Sequence, residues 1–245
     1  MNAPLLKLEG VNTHIGPYHI LHGVDLQVPR GQLTMLLGRN GAGKSTTLRT
    51  IMGLWPASKG QITFDGQDIT QKSTSEIANS GISYVPENMG IFSDLTVREN
   101  MLLAARSARK AEDIDQKRLE WIFSLFPAMK KFWEHPAGKL SGGQKQMLAV
   151  SRAIVEPRKL LLIDEPSKGL APAIIANMIS AFRELKQTDT TILLVEQNFN
   201  FAKQLGDTVA VMDNGQIVHR GLMAELAEDE ALQTQLLGLS LNAHQ

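Results

Sequence analysis

The spacing of apolar positions changes several times along the chain, and each change marks an element. Over the first 30 residues, the short alternating runs LLKLEGV and VDLQV are broken at Gly16-Pro17 and Pro29-Arg30-Gly31. A period of two with Gly and Pro at the breaks predicts antiparallel strands. LTMLLG is a continuous apolar run that enters GRNGAGKST directly; KSTTLRTIMG then carries helical periodicity and stops at Gly53. GQITFDGQDI predicts an exposed strand pair and ISYVP a buried strand ended by Pro86. From Thr96 to about Val155 the pattern is helical, through TVRENMLLAARSA, DQKRLEWIFSLF and the segment after Ser141. Strand and helix alternate again in KLLLIDEP, PAIIANMISAFRELK, TILLVEQ and NFNFAKQLG. In TVAVMDNGQIVHRG, Asn214-Gly215 between alternating runs predicts a hairpin. The sum is an α/β fold with a mostly parallel core, an antiparallel sheet to one side, and a helical insertion at about residues 88–155.

Composition narrows the roles such a fold can take. The 245 residues suffice for one large domain, and no linker, repeat or low-complexity tract divides residues 1–245. The 25 basic and 25 acidic side chains cancel without a Lys/Arg block, which disfavours nucleic acid as a partner. The chain has no cysteine, so disulfides, thiolate metal sites and Cys nucleophiles are excluded. MNAPLLKLEG lacks the basic-then-apolar layout of a secretory signal. The longest apolar runs, Leu160–Ile163 and Ile192–Val195, are far short of a membrane span and read as buried strands. A membrane role therefore requires a partner.

Three segments carry candidate chemistry. Residues 38 to 46, GRNGAGKST, fit G-x-x-x-x-G-K-[ST] between a strand and a helix. In that setting the backbone N–H groups of Gly38, Asn40, Gly41, Ala42, Gly43, Lys44, Ser45 and Thr46 converge on phosphates. Lys44 reaches the β- and γ-phosphate oxygens, and the Ser45 hydroxyl takes a place on Mg²⁺. In LSGGQKQMLAVSRAIVEP, Ser141 and Gln144 form a capping box, so a helix begins there. Gly142 and Gly143 each cost up to about 1 kcal/mol in its first turn relative to Ala. Either an anion approaches this bare helix N-terminus, or the glycines are only a permissive cap. In LLLIDEP, Asp164 and Glu165 end an apolar strand, where open α/β sheets bind ligands. Asp164 is assigned to Mg²⁺ and Glu165 to orienting or deprotonating the attacking water; the alternative is a solvated acidic turn.

With GRNGAGKST, LSGGQ and LLLIDEP in this order, the chain resembles the ATP-binding cassette (ABC) family over essentially its whole length. The resemblance implies a P-loop NTPase (RecA-like) fold, with ATP and Mg²⁺ as cofactors. It also implies a head-to-tail pair of cassettes, in which Ser141, Gly142, Gly143 and Gln144 of one cover the ATP held by residues 38–46 of the other. Such a two-fold arrangement makes two composite sites from one interface.

Four positions depart from the common cassette pattern. Glu87 stands where the family has glutamine, and would bring a full negative charge toward the metal. Gln197 replaces a histidine; its amide can donate to a γ-phosphate oxygen but cannot become cationic. Ala171 replaces an aspartate. The aromatic that stacks on adenine is missing, since Ile15 precedes Gly16; Tyr18 or His14 is left to substitute, unless Tyr18 is structural only.

VPE, GLAP and VEQN, with the tail EDEALQTQLLGLSL, resemble one branch in particular, the second ATPase subunit of bacterial branched-chain amino acid importers. That implies a second ATPase subunit, transmembrane permeases, indirectly an external solute-binding protein, and a peripheral location on the cytoplasmic face of the inner membrane. Amide and urea importers share much of the pattern, and a lipid or polysaccharide exporter is the nearest alternative. A soluble cassette acting on ribosomes or DNA is disfavoured by the neutral charge and the lack of sustained heptads. Beside Glu87, the residues Met89, Ile91, Phe92 and Leu95 are candidates for gripping a permease helix, or else belong to the core of the helical lobe.

Overall fold

The computed structural model describes residues 3–238. The apolar runs become the middle of a six-stranded sheet. Strands β3 (Leu33–Leu37), β7 (Leu160–Asp164) and β8 (Thr191–Glu196) are buried at every residue, as strands covered on both faces must be. With β6 (Ile82–Val85), β9 (Thr208–Asp213) and β10 (Gln216–Leu222) they give the order β10-β9-β3-β8-β7-β6. All neighbours are parallel except β9 and β10, the hairpin expected at Asn214-Gly215. Both turn residues have positive φ, 45° and 76°, as a two-residue hairpin turn requires.

Alternation along these strands divides the core in two. Leu33, Met35, Leu37, Leu161, Ile163, Ile192 and Leu194 point to one face and Leu36, Leu160, Leu162, Leu193 and Val195 to the other. The second face is covered by a four-stranded antiparallel sheet of β1 (Leu6–Ile15), β2 (Tyr18–Val28), β4 (Ala57–Phe64) and β5 (Gln67–Asp68), with α1 (Lys44–Ile51) and α2 (Thr74–Asn79). On the first face lie α3 (Val97–Ala104), α4 (Gln116–Leu125), α5 (Pro127–Lys131), α6 (Gly142–Ile154), α7 (Pro172–Leu185) and α8 (Phe199–Ala202). Side chains of α3 to α6 therefore share one apolar cluster with the sheet. The chain closes with α9 (Met223–Glu228) and α10 (Glu230–Leu237). Residues 239–241 of the tail used for the branch assignment lie outside the described residues. Among those described, no helix is long and apolar enough to cross a membrane.

The register sets the site. Leu37 pairs with Glu196 and Asp164 with Val195, so β3, β8 and β7 end at one level. The phosphate-loop segment, Gln197 and the Asp164–Glu165 pair all leave the carboxyl edge of the sheet side by side, and β6 delivers Pro86 and Glu87 next to them. This is the edge at which open α/β sheets hold ligands.

Candidate nucleotide site

Residues 38–43 turn from β3 into α1. Gly43 caps α1 with φ 105° and supplies no side-chain acceptor, so the first N–H groups of the helix stay available to an anion. A Cβ on Gly38 would lie 2.3 Å from the Met212 carbonyl oxygen of β9, which restricts that position to glycine. Lys44 is 4 % exposed; its ammonium donates to the carbonyl oxygens of Gly38 at 2.9 Å and Arg39 at 3.0 Å. The lysine thus folds back over the loop, its charge 3.5 Å from Glu165 Oε1.

Across from the loop, Ser45 Oγ donates to Asp164 Oδ1 at 3.0 Å. Asp164 is fully buried, and its Oδ2 has no hydrogen-bond partner. Burial first, then the neighbouring charges of Glu165 and Glu87, push its carboxyl up from 3.8 to about 6 against the Ser45 bond. A buried carboxylate with one unused oxygen beside a hydroxyl suits a divalent cation. Mg²⁺ is commonly held by one or two protein oxygens, with the remainder from phosphates and water. No cluster of three metal-ligating side chains exists among the described residues. Ser45 and Asp164 are the residues that would hold the cation.

Glu165 is 8 % exposed and has φ 47°, in the left-handed region. Such a turn costs a non-glycine residue about 1–3 kcal/mol and recurs where a side chain must be aimed. Gln197 Nε2 donates to Glu165 Oε1 at 2.5 Å and to Asn40 Oδ1 at 2.6 Å, bridging the acid to the phosphate loop. Beneath it, Glu196, which sequence reasoning passed over, is 2 % exposed. Its carboxylate accepts from the backbone N–H groups of Ser167, Gln197 and Asn198 at 2.9, 3.0 and 3.2 Å. Burial raises its pKa and these bonds oppose the rise. One buried carboxylate thereby fastens the turn after β7 to the turn after β8.

A cleft of about 340 Å³ joins Ile15, Ile20, Asn40, Gly41, Gly43, Lys44, Ser45, Thr46, Glu87, Glu165 and Lys168. Tyr18 is 70 % exposed and does not line it. It opens β2 just after the β1–β2 turn, and the aliphatic Ile15 and Ile20 occupy that wall instead. His14 is engaged elsewhere, stacked on His19 with ring centroids 4.2 Å apart and 3.0 Å from Ser58 Oγ. Glu87 faces the cleft, but its Oε1 lies 2.5 Å from the Lys168 ammonium. The expected metal-side acid is therefore an ion-paired one.

Ser141, Gly142, Gly143 and Gln144 do not line this cleft. The capping box is present: Gln144 N–H donates to Ser141 Oγ at 3.3 Å, and Ser141 N–H to Gln144 Oε1 at 2.9 Å. The two glycines have different reasons. A Cβ on Gly143 would meet Ile174 of α7 at 2.8 Å, so this residue is small for packing within the chain. A Cβ on Gly142 meets nothing within 4 Å, so packing within the chain does not require glycine there. Ala171 is the N-cap of α7 and makes no side-chain cap.

Comparison with known proteins agrees with this geometry. The family model described as ABC transporter matches residues 21–168. The high-affinity branched-chain amino acid transport ATP-binding protein BraG of Pseudomonas aeruginosa is 39% identical over 234 residues, covering 96% of this chain and 100% of that protein. The probable branched-chain amino acid transport ATP-binding protein LivF of Archaeoglobus fulgidus is 34% identical over 236 residues, covering 96% and 99%. Among solved structures, the ADP conformation of an ATP-binding cassette of an ABC transporter superposes with TM-score 0.79 at 27% identity, covering 97% of this chain and 100% of that one. The residues that build the cleft fall mainly within the matched segment, and the chain belongs to the ABC transporter family as an ATP-hydrolysing, ATP-binding subunit.

Proposed function

We propose that this chain is the ATPase subunit of an importer for branched-chain amino acids, acting from the cytoplasmic face of the membrane as one nucleotide-binding domain with a helical lobe at about residues 88–155. The observation that carries the reading is the 39% identity to BraG across all of that protein. LivF of A. fulgidus points to the same solute class.

The chemistry follows from the cleft. Residues 38–46 bind the phosphates through backbone N–H groups and Lys44, whose present carbonyl bonds are exchanged for phosphate oxygens. Ser45 and Asp164 would hold a divalent cation, which would supply charge neutralisation to the transferred phosphoryl group. Glu165 accepts the proton of the attacking water, and Gln197 holds the carboxylate and donates toward the γ-phosphate. Because Ser141 to Gln144 lie away from this cleft, they act on the ATP of a second cassette, identical or different. Closure on ATP and parting after hydrolysis drive the permeases, and the external solute-binding protein gates that cycle indirectly.

A groove of about 580 Å³ next to Glu87 is the proposed permease contact. It is lined by Met89, Leu54 and Leu103 together with Arg49, Arg106, Arg152 and Arg158. Of the four residues first expected there, Ile91 packs against the core, and Phe92, half exposed, carries Arg152 over its ring. Assembly with branched-chain amino acid permeases, in vesicles enclosing this chain and ATP with the binding protein outside, provides the test. Leucine, isoleucine or valine should stimulate ATP hydrolysis and accumulate inside; stimulation by urea or amides alone rejects the solute assignment.

A further inference from the structure

Lys168 belongs to no motif, yet it stands in the nucleotide cleft. It lies in the turn after β7, three residues beyond Glu165. Its ammonium is 2.5 Å from Glu87 Oε1 and 3.6 Å from Glu165 Oε2. Glu165 gives its other oxygen, Oε1, to Gln197 and Lys44. The outer oxygen of the acid is thus served by Lys168. Glu87, where cassettes ordinarily carry an amide, adds one carboxylate to the cleft, and Lys168 adds one ammonium. Lys44 and Lys168 then balance Glu87 and Glu165. Without Lys168 the cleft would present excess negative charge to a triphosphate, at a place where bound ligand excludes water and strengthens every charge interaction. Glu87 first, and Glu165 after it, hold the Lys168 ammonium above its usual range.

The geometry points to Lys168 as a positioning residue for hydrolysis: it neutralises Glu87 and holds the outer oxygen of Glu165, so that Glu87 and Lys168 work as one compensated pair. This rests on the reading of Glu165 as the base. The Lys168 side chain is 56% exposed, and an ion pair this open to water adds little to stability. The role is therefore in the cleft rather than in the fold.

The test uses the full chain, with steady-state ATPase across MgATP concentrations and calorimetric titration with ATP. Losing one compensating charge is worth about tenfold in an equilibrium constant, so Lys168→Met should raise Kd and KM for ATP about tenfold and lower kcat comparably. Its melting temperature should be unchanged, and Lys168→Arg should behave nearly as the unmodified chain. The double variant Glu87→Gln/Lys168→Met restores the charge balance, and its ATP affinity should return to within about threefold of the unmodified value. Independent, multiplying defects in the double variant, an inert Lys168→Met, or a large loss of melting temperature each overturn the inference. Glu165→Gln in the same assays separates the two readings. Normal turnover there removes the base assignment, and with it this inference. A dead Glu165→Gln with no coupling between positions 87 and 168 removes the pair alone.

Discussion

Replacing Asp164 by Asn should make the protein more stable while removing its activity. A carboxyl held at about 6 instead of 3.8 corresponds to about 3 kcal/mol against its charged form at neutral pH, since each pH unit is worth about 1.4 kcal/mol. The asparagine oxygen can still accept from Ser45. Its amide, however, takes the place of an oxygen that has no partner, and an unmet buried donor costs about 1–3 kcal/mol. The net gain is up to about 2 kcal/mol, or up to about 8 °C in melting temperature for a chain of this size. The pH dependence follows from the raised folded value. Asp164 imposes no penalty below about pH 4, where it is protonated in both states. The penalty grows between about 4 and 6 and is complete above 6. Thermal unfolding by circular dichroism in EDTA, at pH 7.5 and at pH 5, measures this directly. Asp164→Asn should melt higher at pH 7.5, and the difference should shrink at pH 5. A variant melting clearly below the unmodified chain at pH 7.5, or a difference independent of pH, refutes the claim that burial holds this carboxyl up.

Two further substitutions separate packing from chemistry. Gly142→Ala adds a methyl group that meets nothing, so it should raise stability by up to about 1 kcal/mol through helix propensity yet lower ATPase activity severalfold; equal activity would show that no ligand approaches there. Glu196→Ala strips the acceptor from three backbone N–H groups, one buried and two part-buried, so chemical denaturation should register a loss of about 2–4 kcal/mol. Its kcat should fall more than its KM, and an unchanged kcat would show that the clip does not position Gln197.

Local features were legible in the sequence because their causes are local. The capping box at Ser141 and Gln144, the Asn214-Gly215 hairpin and the buried runs of β3, β7 and β8 depend on residues a few positions apart. What sequence reasoning missed depends on pairs that only the fold brings together. Lys168 and Glu87 are 81 positions apart, and nothing in the sequence singles out Lys168 as the partner. Glu196 looked like an ordinary strand end, because its partners are backbone N–H groups that carry no sequence signature. For Gly143 the sequence offers an approaching anion or a permissive cap, and the contact with Ile174 of α7 adds a packing reason that only the fold shows. Tyr18 and His14 are the rings the sequence offers, with Tyr18 structural only as the alternative, but the cleft wall is set by which residues of β1 and β2 face the phosphate loop, and those are Ile15 and Ile20. VPE was the one available hint, since an acid in place of an amide asks for a cation nearby.

The central claim is that ATP on residues 38–46 is completed by Ser-Gly-Gly of a second cassette. Electron cryomicroscopy of the assembled Glu165→Gln transporter with MgATP tests it most directly. The account predicts a closed pair of cassettes, with the γ-phosphate of this chain's ATP bounded by Lys44 on one side and by the signature helix N-terminus of the partner cassette on the other. ATP fully enclosed by one chain, with Ser141 to Gln144 facing solvent in the nucleotide-loaded assembly, would contradict it.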